Sequence, residues 1–387
     1  MRPQDCAALF AGRRVLVTGH TGFKGAWLSL WLASWGARVT GYSLEPPSTP
    51  SCFELADVEA TLEHHVIGDI RDGERLAAVV EMADPEVIFH LAAQPLVLTG
   101  YDDPIGTLDV NVMGTARLLD VVRRRQRPCA VVIVTSDKCY AGNAVSGAFE
   151  ESSPFGGQDP YSASKGAAEL VIQAYRQAYF PPDRLDEHGV LLASGRAGNV
   201  IGGGDWAAHR IVPDAIAGWV AGQPVELRHP AAVRPWQHVL EPLWGYLLLA
   251  GRMLATPSPL WCRGFNFGPG EGGEVPVFDL VERLAEAWGE GVPAPSWRLE
   301  GGAPGPAESA TLRLAVQRAR AVLGWSPTFD LDTTVARTAA WYRRQLEGQK
   351  AARQLCLDDI DTFQASHREA EGLIRASLRR RMEVRHG

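Results

Sequence analysis

The sequence predicts a doubly wound α/β fold, a parallel sheet covered by helices on both faces, followed by a smaller α/β domain. In the first half of the chain, short apolar runs rich in β-branched residues alternate with amphipathic runs of helical period. The apolar runs are continuous, as strands that are buried on both faces require. Beyond Trp206 the alternation weakens, and Pro, Trp and Arg become frequent.

The predicted elements of the first half follow in order. Residues 13–19 (RRVLVTG) read as the first strand, and the amphipathic run 22–34 ends before Gly36, a suitable helix C-cap. Further strands are predicted at 37–44, 64–70, 86–93, 129–136 and from 189, with helices at 74–83, 108–124 and 162–179. The segment 264–268 (GFNFG) is a candidate for a further strand of the same sheet.

These changes divide the chain into three predicted parts. Residues 1–198 form a nucleotide-binding domain, to whose sheet 264–268 is a candidate addition. Residues 199–347 form a smaller substrate domain, and 348–387 form a helical tail that is rich in arginine. For this tail a solvated or oligomer-packing helix is favoured over a ligand site.

Composition excludes several classes of function. The chain has 387 residues, 46% of them hydrophobic, and a net charge of -7, which argues against nucleic acid or anionic membrane as a partner. The six cysteines are scattered, with no Cys-x-x-Cys pair and no adjacent histidine cluster, so reduced thiols and no metal site are expected. No stretch has the length of a membrane span and no signal-peptide core is seen, so a cytoplasmic protein acting on a small molecule is expected.

A glycine-rich loop joins the first strand to the first helix. In VTGHTGFKG, Gly19, Gly22 and Gly25 have the spacing G-x-x-G-x-x-G. A dinucleotide pyrophosphate needs close backbone and the free N–H groups of a helix N-terminus, and glycines permit both. The predicted cofactor contacts in this loop are Gly19, His20, Thr21, Gly22, Phe23, Lys24 and Gly25.

The residues after the second strand bear on the choice of cofactor. An acid that binds the adenosine ribose is expected about 20 residues after the glycines. Tyr42 and Ser43 occupy that place, Glu45 follows slightly late, and no arginine is present for a ribose phosphate. NAD is therefore preferred over NADP. After the third strand, Asp69 and Ile70 are candidates for the adenine end, with a solvated loop aspartate as the alternative for Asp69.

Tyr161 and Lys165 form the second motif. They are spaced i, i+4 in a predicted helix, so the lysine ammonium lies on the same face as the phenol and favours its ionised form. A tyrosinate beside a nicotinamide is a base that can take a proton from a sugar hydroxyl while hydride leaves the same carbon. Its distance from the glycine-rich loop and its place after the fourth or fifth strand favour the functional interpretation.

Together these motifs resemble the extended short-chain dehydrogenase/reductase superfamily, in its nucleotide-sugar branch. The segments GHTGFKGAWL, FHLAAQPLV, VTSDKCY, DPYSASKGAAEL, RAGNVIGGGDW and RPWQHVLEPL are similar to those of CDP-glucose 4,6-dehydratases, and the resemblance extends from about residue 13 to 345. It implies a Rossmann-type fold and the NAD-dependent conversion of CDP-D-glucose to CDP-4-keto-6-deoxy-D-glucose, a step of deoxysugar biosynthesis. It also implies a homodimer, paired through the helices that follow Thr107 and Tyr161.

The resemblance assigns roles to the catalytic residues. Hydride leaves C4 of the sugar, water is eliminated across C5 and C6, and hydride returns to C6. Tyr161 is the base at the C4 hydroxyl, Lys165 holds the nicotinamide ribose and lowers the pKa of that phenol, and Ser136 hydrogen-bonds the sugar. Asp137 carries over as the acid for the departing C6 hydroxyl, which requires it to be protonated, whereas the adjacent Lys138 favours its carboxylate form.

Lys138 departs from the pattern, because sister dehydratases for other nucleotide sugars carry Asp-Glu at this dipeptide. Of the 38 basic residues only Lys24, Lys138, Lys165 and Lys350 are lysines, and three of these four fall in the predicted motifs. A deprotonable ammonium differs chemically from a fixed guanidinium. We interpret Lys138 as the partner at C5, which either takes the C5 proton itself or steers a water that does, and Lys24 as a pyrophosphate or ribose contact. A surface lysine paired to Asp137 is the alternative for Lys138.

The predicted substrate contacts are Asn199, Arg210, Arg234, Trp236 and Asn266. By resemblance, Arg234 and Asn199 face the diphosphate and the segment 211–216 lies near the base. Arginine forks match phosphate oxygens, although a solvated surface residue is an equal alternative for Arg210. Two other functions stay open, a nucleotide-sugar 4-epimerase and a 4,6-dehydratase for another nucleotide-glucose. The Asp137-Lys138 dipeptide argues against the epimerase, which needs no elimination pair.

Overall fold

A parallel seven-stranded sheet forms the centre of the molecule. The structure, a computed structural model, describes residues 1–142, 147–289, 296–299 and 313–386, with side chains as far as residue 369. The sheet strands are β1 (Arg14–Thr18), β2 (Arg38–Ser43), β3 (His64–Ile67), β4 (Val87–His90), β5 (Cys129–Val134), β6 (Val190–Ala197) and β7 (Gly264–Phe267). Their order is β3-β2-β1-β4-β5-β6-β7, and all neighbours are parallel. This is the doubly wound order, with its reversal between β1 and β4.

Helices cover the sheet and complete the smaller second half. The described helices of eight or more residues are α1 (Pro3–Phe10), α2 (Phe23–Ser34), α3 (Gly73–Ala83), α4 (Gly114–Arg125), α5 (Pro160–Ala178), α6 (Ile211–Val220), α7 (Leu240–Ala255), α8 (Val277–Trp288), α9 (Leu331–Leu346) and α10 (Ala352–His386). Shorter helical turns are Cys52–Leu55, Glu59–Thr61, Val97–Asp102, Pro104–Leu108, Asp109–Met113, Asp137–Cys139, Pro182–Arg184, Leu185–His188, Pro259–Trp261 and Ala319–Leu323. Within the described ranges, no helix is both long and apolar enough to cross a membrane.

Both faces of the sheet are buried, which confirms the predicted fold class. Along β1, Val15 and Val17 face a core that includes residues of α1, α2 and α7, whereas Leu16 between them faces a second core built from α3, α4 and α5. Successive side chains of a strand point to opposite faces, so a continuous apolar run supplies two cores at once.

The helix predicted at 108–124 is present, but its segment Asp109–Met113 is π-helical, which the sequence did not indicate. The chain passes from Pro104–Leu108 through a wide π-type turn, Asp109–Met113, into α4. Inside that turn Asn111 is buried; its Oδ1 accepts a hydrogen bond from the backbone N–H of Gln94 (2.9 Å), and its Nδ2 donates to Ser164 Oγ (2.8 Å). The extra residue of a π-turn lets this side chain join the loop after β4 to α5.

Residues of the second half of the chain pack against the first half. The strand β7 pairs with β6, so residues 264–267 extend the large sheet. The short pairs Val200–Ile201 with Gln237–His238, Val225–Leu227 with Trp297–Leu299, and Val233–Pro235 with Glu274–Pro276 lie outside that sheet. The beginning of α10 is buried, with Phe363 against Trp31 at a ring-centroid distance of 5.6 Å. Most of the arginine-rich end predicted as a tail, residues 370–387, lies outside the described side chains.

Candidate active site

A cavity of about 630 Å³ opens where the strands of the large sheet end. Its walls come from the loops that follow β1 to β6 and from segments of the second half, including residues 197–202 and 209–214. In open α/β sheets the carboxyl ends of the strands beside the reversal of strand order form the usual ligand crevice. The predicted cofactor and catalytic motifs therefore meet at the expected edge of the sheet.

The glycine-rich loop has no space for side chains at two of its positions. Gly19 has a φ of +77°, and a Cβ there would lie 2.6 Å from the backbone nitrogen of Ala92. A Cβ on Gly25 would lie 2.0 Å from the carbonyl oxygen of Gly19. Gly22 stands at the N-cap of α2, whose first N–H groups have no partner within the helix. This cradle fits the pyrophosphate of a dinucleotide.

Of the loop residues predicted to contact a cofactor, His20 is the one whose side chain does not line the cavity. Its ring packs against Gly41, and its Nε2 lies 2.7 Å from His65 Nδ1. Burial lowers the pKa of His20 to about 3, so the ring is neutral. The side chain of His20 therefore braces the loop against β2 and β3, which leaves only its backbone for the predicted contact.

The other end of the cradle is lined by residues that follow β2 and β3. Glu45, Asp69 and Ile70 all line the cavity there. Asp69 pairs with Arg71 (2.6 Å), whose hydrogen bonds hold the pKa of this carboxyl below its ordinary value. The backbone carbonyl of Asp69 accepts a hydrogen bond from the hydroxyl of Tyr42 (2.6 Å), which joins the two loops. The acid that the sequence placed slightly late, Glu45, thus reaches the cavity.

The predicted catalytic residues Ser136, Asp137, Lys138, Tyr161 and Lys165 all line one part of the cavity. Ser136 follows β5; its Oγ donates to Asp137 Oδ1 (2.9 Å) and accepts from the backbone N–H of Lys138 (3.2 Å). Ser136 also lies beside the phenol of Tyr161 and acts to lower its pKa. A short turn of helix, Asp137–Cys139, therefore presents an acid and an ammonium beside the tyrosine.

Burial sets the protonation of this group. It raises the pKa of Asp137 above its ordinary value, although Lys138 and the hydrogen bond from Ser136 act in the opposite direction. Among the described residues, Asp137 Oδ2 is buried without a hydrogen-bond partner. A buried carboxyl with one unsatisfied oxygen favours the neutral acid, which can donate a proton.

Three cationic or phenolic groups beside Asp137 are also shifted by burial. It raises the pKa of Tyr161 to about 12, an effect that the neighbouring Ser136 opposes. It lowers the pKa of Lys165 to about 8. The pKa of Lys24 is lowered to about 8 by burial and by the charge of Arg210, while Asp137 acts in the opposite direction. Perturbed groups that cluster in a cleft are typical of catalytic sites.

A buried ion pair that sequence reasoning missed, Glu169 with Arg196, lies next to the catalytic residues. Glu169 lies one turn after Lys165 in α5 and accepts two hydrogen bonds from Arg196 (2.9 and 2.8 Å). It also accepts hydrogen bonds from Thr135 Oγ1 (2.6 Å) and Ser194 Oγ (2.9 Å). One signal was available, since Arg196 is the single charged residue in the apolar run of β6.

Asn266, predicted as a substrate contact, lies in this supporting network and not on the cavity wall. Arg196 Nη1 donates to the hydroxyl of Tyr140 (2.7 Å), which in turn donates to Asn266 Oδ1 (2.7 Å). The Asn266 Nδ2 group donates to the backbone carbonyls of Phe149 (3.0 Å) and Ala315 (3.2 Å). The position gives no support to the predicted substrate contact, because the amide is already occupied by the protein.

The remaining predicted substrate residues, Asn199, Arg210, Arg234 and Trp236, line the cavity. Arg210 pairs with Asp205 (2.8 Å), and Arg234 is buried and donates to the carbonyl of Val233 (3.0 Å). Asp214, in the segment 211–216 that the resemblance puts near the base, also lines the cavity, and sequence reasoning missed further polar lining residues, among them Glu226, Arg228 and His229.

The sheet order, the glycine cradle and the Tyr161–Lys165 pair together define an enzyme of the extended short-chain dehydrogenase/reductase class. The chain belongs to the GDP-mannose 4,6 dehydratase family, whose model matches residues 16–241. It is 46% identical over 338 residues to a CDP-glucose 4,6-dehydratase of Salmonella typhimurium, covering 87% of this chain and 92% of that one. It is 25% identical to a dTDP-glucose 4,6-dehydratase of Xanthomonas campestris pv. campestris, covering 84% and 92%.

A solved structure shows the same fold with a cofactor. The dTDP-glucose 4,6-dehydratase DesIV of Streptomyces venezuelae, solved with NAD bound, matches with a TM-score of 0.70 at 27% identity, covering 86% of this chain and 97% of that one. These similarities confirm the family resemblance drawn from the sequence motifs, and they agree with the expectation of NAD.

Proposed function

We propose that this protein is an NAD-dependent dehydratase that converts CDP-D-glucose to CDP-4-keto-6-deoxy-D-glucose. One observation carries the reaction type: a buried acid, Asp137, and an ammonium, Lys138, line the same cavity as the Tyr161–Lys165 pair. A 4-epimerase needs the tyrosine and lysine but no acid and base for elimination. The similarity to the Salmonella typhimurium enzyme supports CDP-glucose as the substrate.

The residues present fit NAD. Gly19 and Gly25 let the loop pack tightly against the backbone of Ala92 and against itself, where a Cβ would clash, and α2 begins directly after Gly22 of this loop. Glu45 and Asp69 give the far end of the cradle two acids, a setting that favours an unphosphorylated ribose. Bound NAD supplies the acceptor for the hydride of C4 and the donor that returns it to C6.

Tyr161 takes the proton of the C4 hydroxyl in this proposal. Because burial raises the pKa of its phenol to about 12, the phenolate needs support from its surroundings. Ser136 and the positive charge of Arg210 both lower this pKa. In the proposal, the ammonium of Lys165, one helical turn away in α5, adds to their effect.

Asp137 and Lys138 carry out the elimination. Asp137 is held neutral by burial and donates its proton to the departing C6 hydroxyl. The Lys138 ammonium first gives its proton to solvent, and the neutral amine then takes the proton from C5, which the ketone at C4 has made acidic. The charge of Lys24 lowers the pKa of Asp137 and so favours the carboxylate that forms when the proton has left.

Mass spectrometry of nucleotide-glucose incubations tests the proposal. We expect the purified protein to remove one water from CDP-glucose, and to do so faster than from dTDP-glucose or UDP-glucose. The matched control is Tyr161→Phe, which removes only the phenolic hydroxyl. No loss of water from any nucleotide-glucose would overturn the dehydratase proposal, and a product of unchanged mass with galactose stereochemistry would establish the epimerase.

We also propose that the protein works as a homodimer. Exposed apolar side chains cluster on the segment that leads into α4 and on α5: Ile105 is 74% and Leu170 is 55% exposed, and Leu108, Met113 and Tyr179 are also exposed. A second copy that packs the same two helices would bury them, since closed two-fold interfaces join identical patches. In sedimentation, Ile105→Asp is expected to yield monomers, whereas the control Leu260→Asp, at an exposed leucine elsewhere, is expected to leave the dimer intact.

A further inference from the structure

The cavity continues beyond the catalytic residues into a region whose ligand is not explained by the steps above. Several charged side chains that interact with one another line this region. Arg210 is close enough to act on the pKa of Tyr161, and it pairs with Asp205 (2.8 Å). The charge of Arg228 lowers the pKa of the Asp214 carboxyl, and the charge of Asp205 raises it. Asp214 lies one helical turn after Arg210, with its backbone N–H donating to the Arg210 carbonyl (2.9 Å), so a nucleotide sugar whose sugar lies at Tyr161 and whose diphosphate lies at Arg210 would place its base near Asp214.

Asp214 lies in the first turn of α6, on the cavity wall. Its carboxyl is half-buried, and the backbone of His209 acts to lower its pKa. His209 has a φ of +64°, a left-handed conformation that is uncommon for a residue other than glycine. Both residues line the cavity, as does Arg228. A half-buried carboxylate on a cavity wall offers an acceptor to a ligand.

The chemistry of the pyrimidine bases gives such an acceptor a clear preference. Cytosine carries an amino group at C4, which donates hydrogen bonds, whereas uracil and thymine carry an oxygen at C4, which accepts them. An ionised carboxylate can only accept, so it pairs with the amino group and repels the oxygen. Glu226, the other acid of this region, is a weaker candidate because it is exposed and pairs with Arg298.

We propose that Asp214 selects cytosine among the pyrimidine nucleotides, by accepting a hydrogen bond from its 4-amino group. The proposal rests on the proposed function, since it concerns the base of the same sugar nucleotide. The guanidinium of Arg228 acts on the carboxylate and favours its ionised form, against the effect of burial, which raises the pKa of Asp214. Its flat face is also suited to stack on a base.

The experiment compares wild type with Asp214→Asn, which keeps the shape and replaces the charge with an amide that can donate as well as accept. The measurement is the ratio of kcat/KM for CDP-glucose to that for dTDP-glucose and UDP-glucose. We expect this ratio to fall at least about tenfold, through KM more than kcat. The control is Asp332→Asn, the same substitution in the first turn of α9, where the acid is 78% exposed and outside the cavity. It should leave the ratio unchanged.

A second measurement does not require turnover. Competitive inhibition constants of CDP, UDP and dTDP report base preference alone, and NAD content shows whether each variant is folded. In Asp214→Asn we expect the preference for CDP over UDP and dTDP to shrink by a similar factor. An unchanged preference, or equal weakening for all three nucleotides, would overturn the role of Asp214. If wild type turns over dTDP-glucose or UDP-glucose better than CDP-glucose, the proposed substrate fails instead, and the two failures are thus distinguishable.

Discussion

Replacing Glu169 with alanine is expected to lower the free energy of unfolding strongly, because it removes one partner of a buried ion pair. The side chain is 2% exposed and accepts four hydrogen bonds, two of them from Arg196, which is 4% exposed. Breaking a buried ion pair by removing one partner costs about 3–5 kcal/mol, because the other charge is left buried. We expect Glu169→Ala to lower the free energy of unfolding by about this amount.

The contribution of Glu169 can also be measured from the pH dependence of the free energy of unfolding. Burial acts to raise the pKa of Glu169, but Arg196 and the hydrogen bonds from Thr135 and Ser194 outweigh it and hold this pKa below its ordinary value of 4.5. A carboxyl whose pKa is lower in the folded state contributes stability that is fully present above pH 4.5 and is lost as the pH falls through the folded pKa. Glu169→Gln should lack this part of the acid dependence.

Urea denaturation at a constant NAD concentration measures the effect. Glu187→Ala is the matched control, because this glutamate forms an exposed ion pair with Arg184 (3.5 Å), of the kind worth about 0–1 kcal/mol. The double variant Glu169→Ala/Arg196→Met leaves no buried charge, so it should be less destabilised than the sum of its single variants, by up to about 3 kcal/mol. A loss below about 1 kcal/mol in Glu169→Ala, or strict additivity, would refute the reasoning.

Three further outcomes concern the cavity. Tyr161→Phe should retain NAD but slow C4 oxidation by about 100-fold or more, measured as NADH absorbance in a single turnover, because the general base is lost. Lys138→Met should retain C4 oxidation yet stop exchange of the C5 proton with deuterated solvent, measured by mass spectrometry. Gly25→Ala should lower the NAD content of the purified protein, because the added Cβ would lie 2.0 Å from the Gly19 carbonyl oxygen and the loop must move.

Each of these outcomes has a contrary result. Normal NADH formation in Tyr161→Phe would show that another group takes the C4 proton. Unchanged C5 exchange in Lys138→Met would show that the lysine is not the base. For the loop, Gly73→Ala at the start of α3 is the control, since a Cβ there would meet only the side chain of Arg117, at 4.0 Å; equal loss of NAD in both variants would count against the cradle.

Local signals were sufficient for the first half of the fold. The strand β1, the glycine loop and α2 are contiguous in the chain, so apolar runs, glycine spacing and helical period predict them directly. The pair Tyr161 and Lys165 is also local, because i, i+4 spacing places both side chains on one helix face. The wide turn Asp109–Met113 could not be predicted in this way, because it depends on the partners of Asn111 in other elements.

The sequence by itself determined the class of enzyme, since the chemistry resides in short motifs whose residues lie within a few positions of one another. Only the tertiary structure decided which polar residues face the cavity. It turned the ring of His20 toward His65, and it placed Asn266 in the Glu169–Arg196 network. It also brought Asp214 to the cavity wall. These outcomes depend on burial and on partners far away in the chain, which residue spacing does not encode.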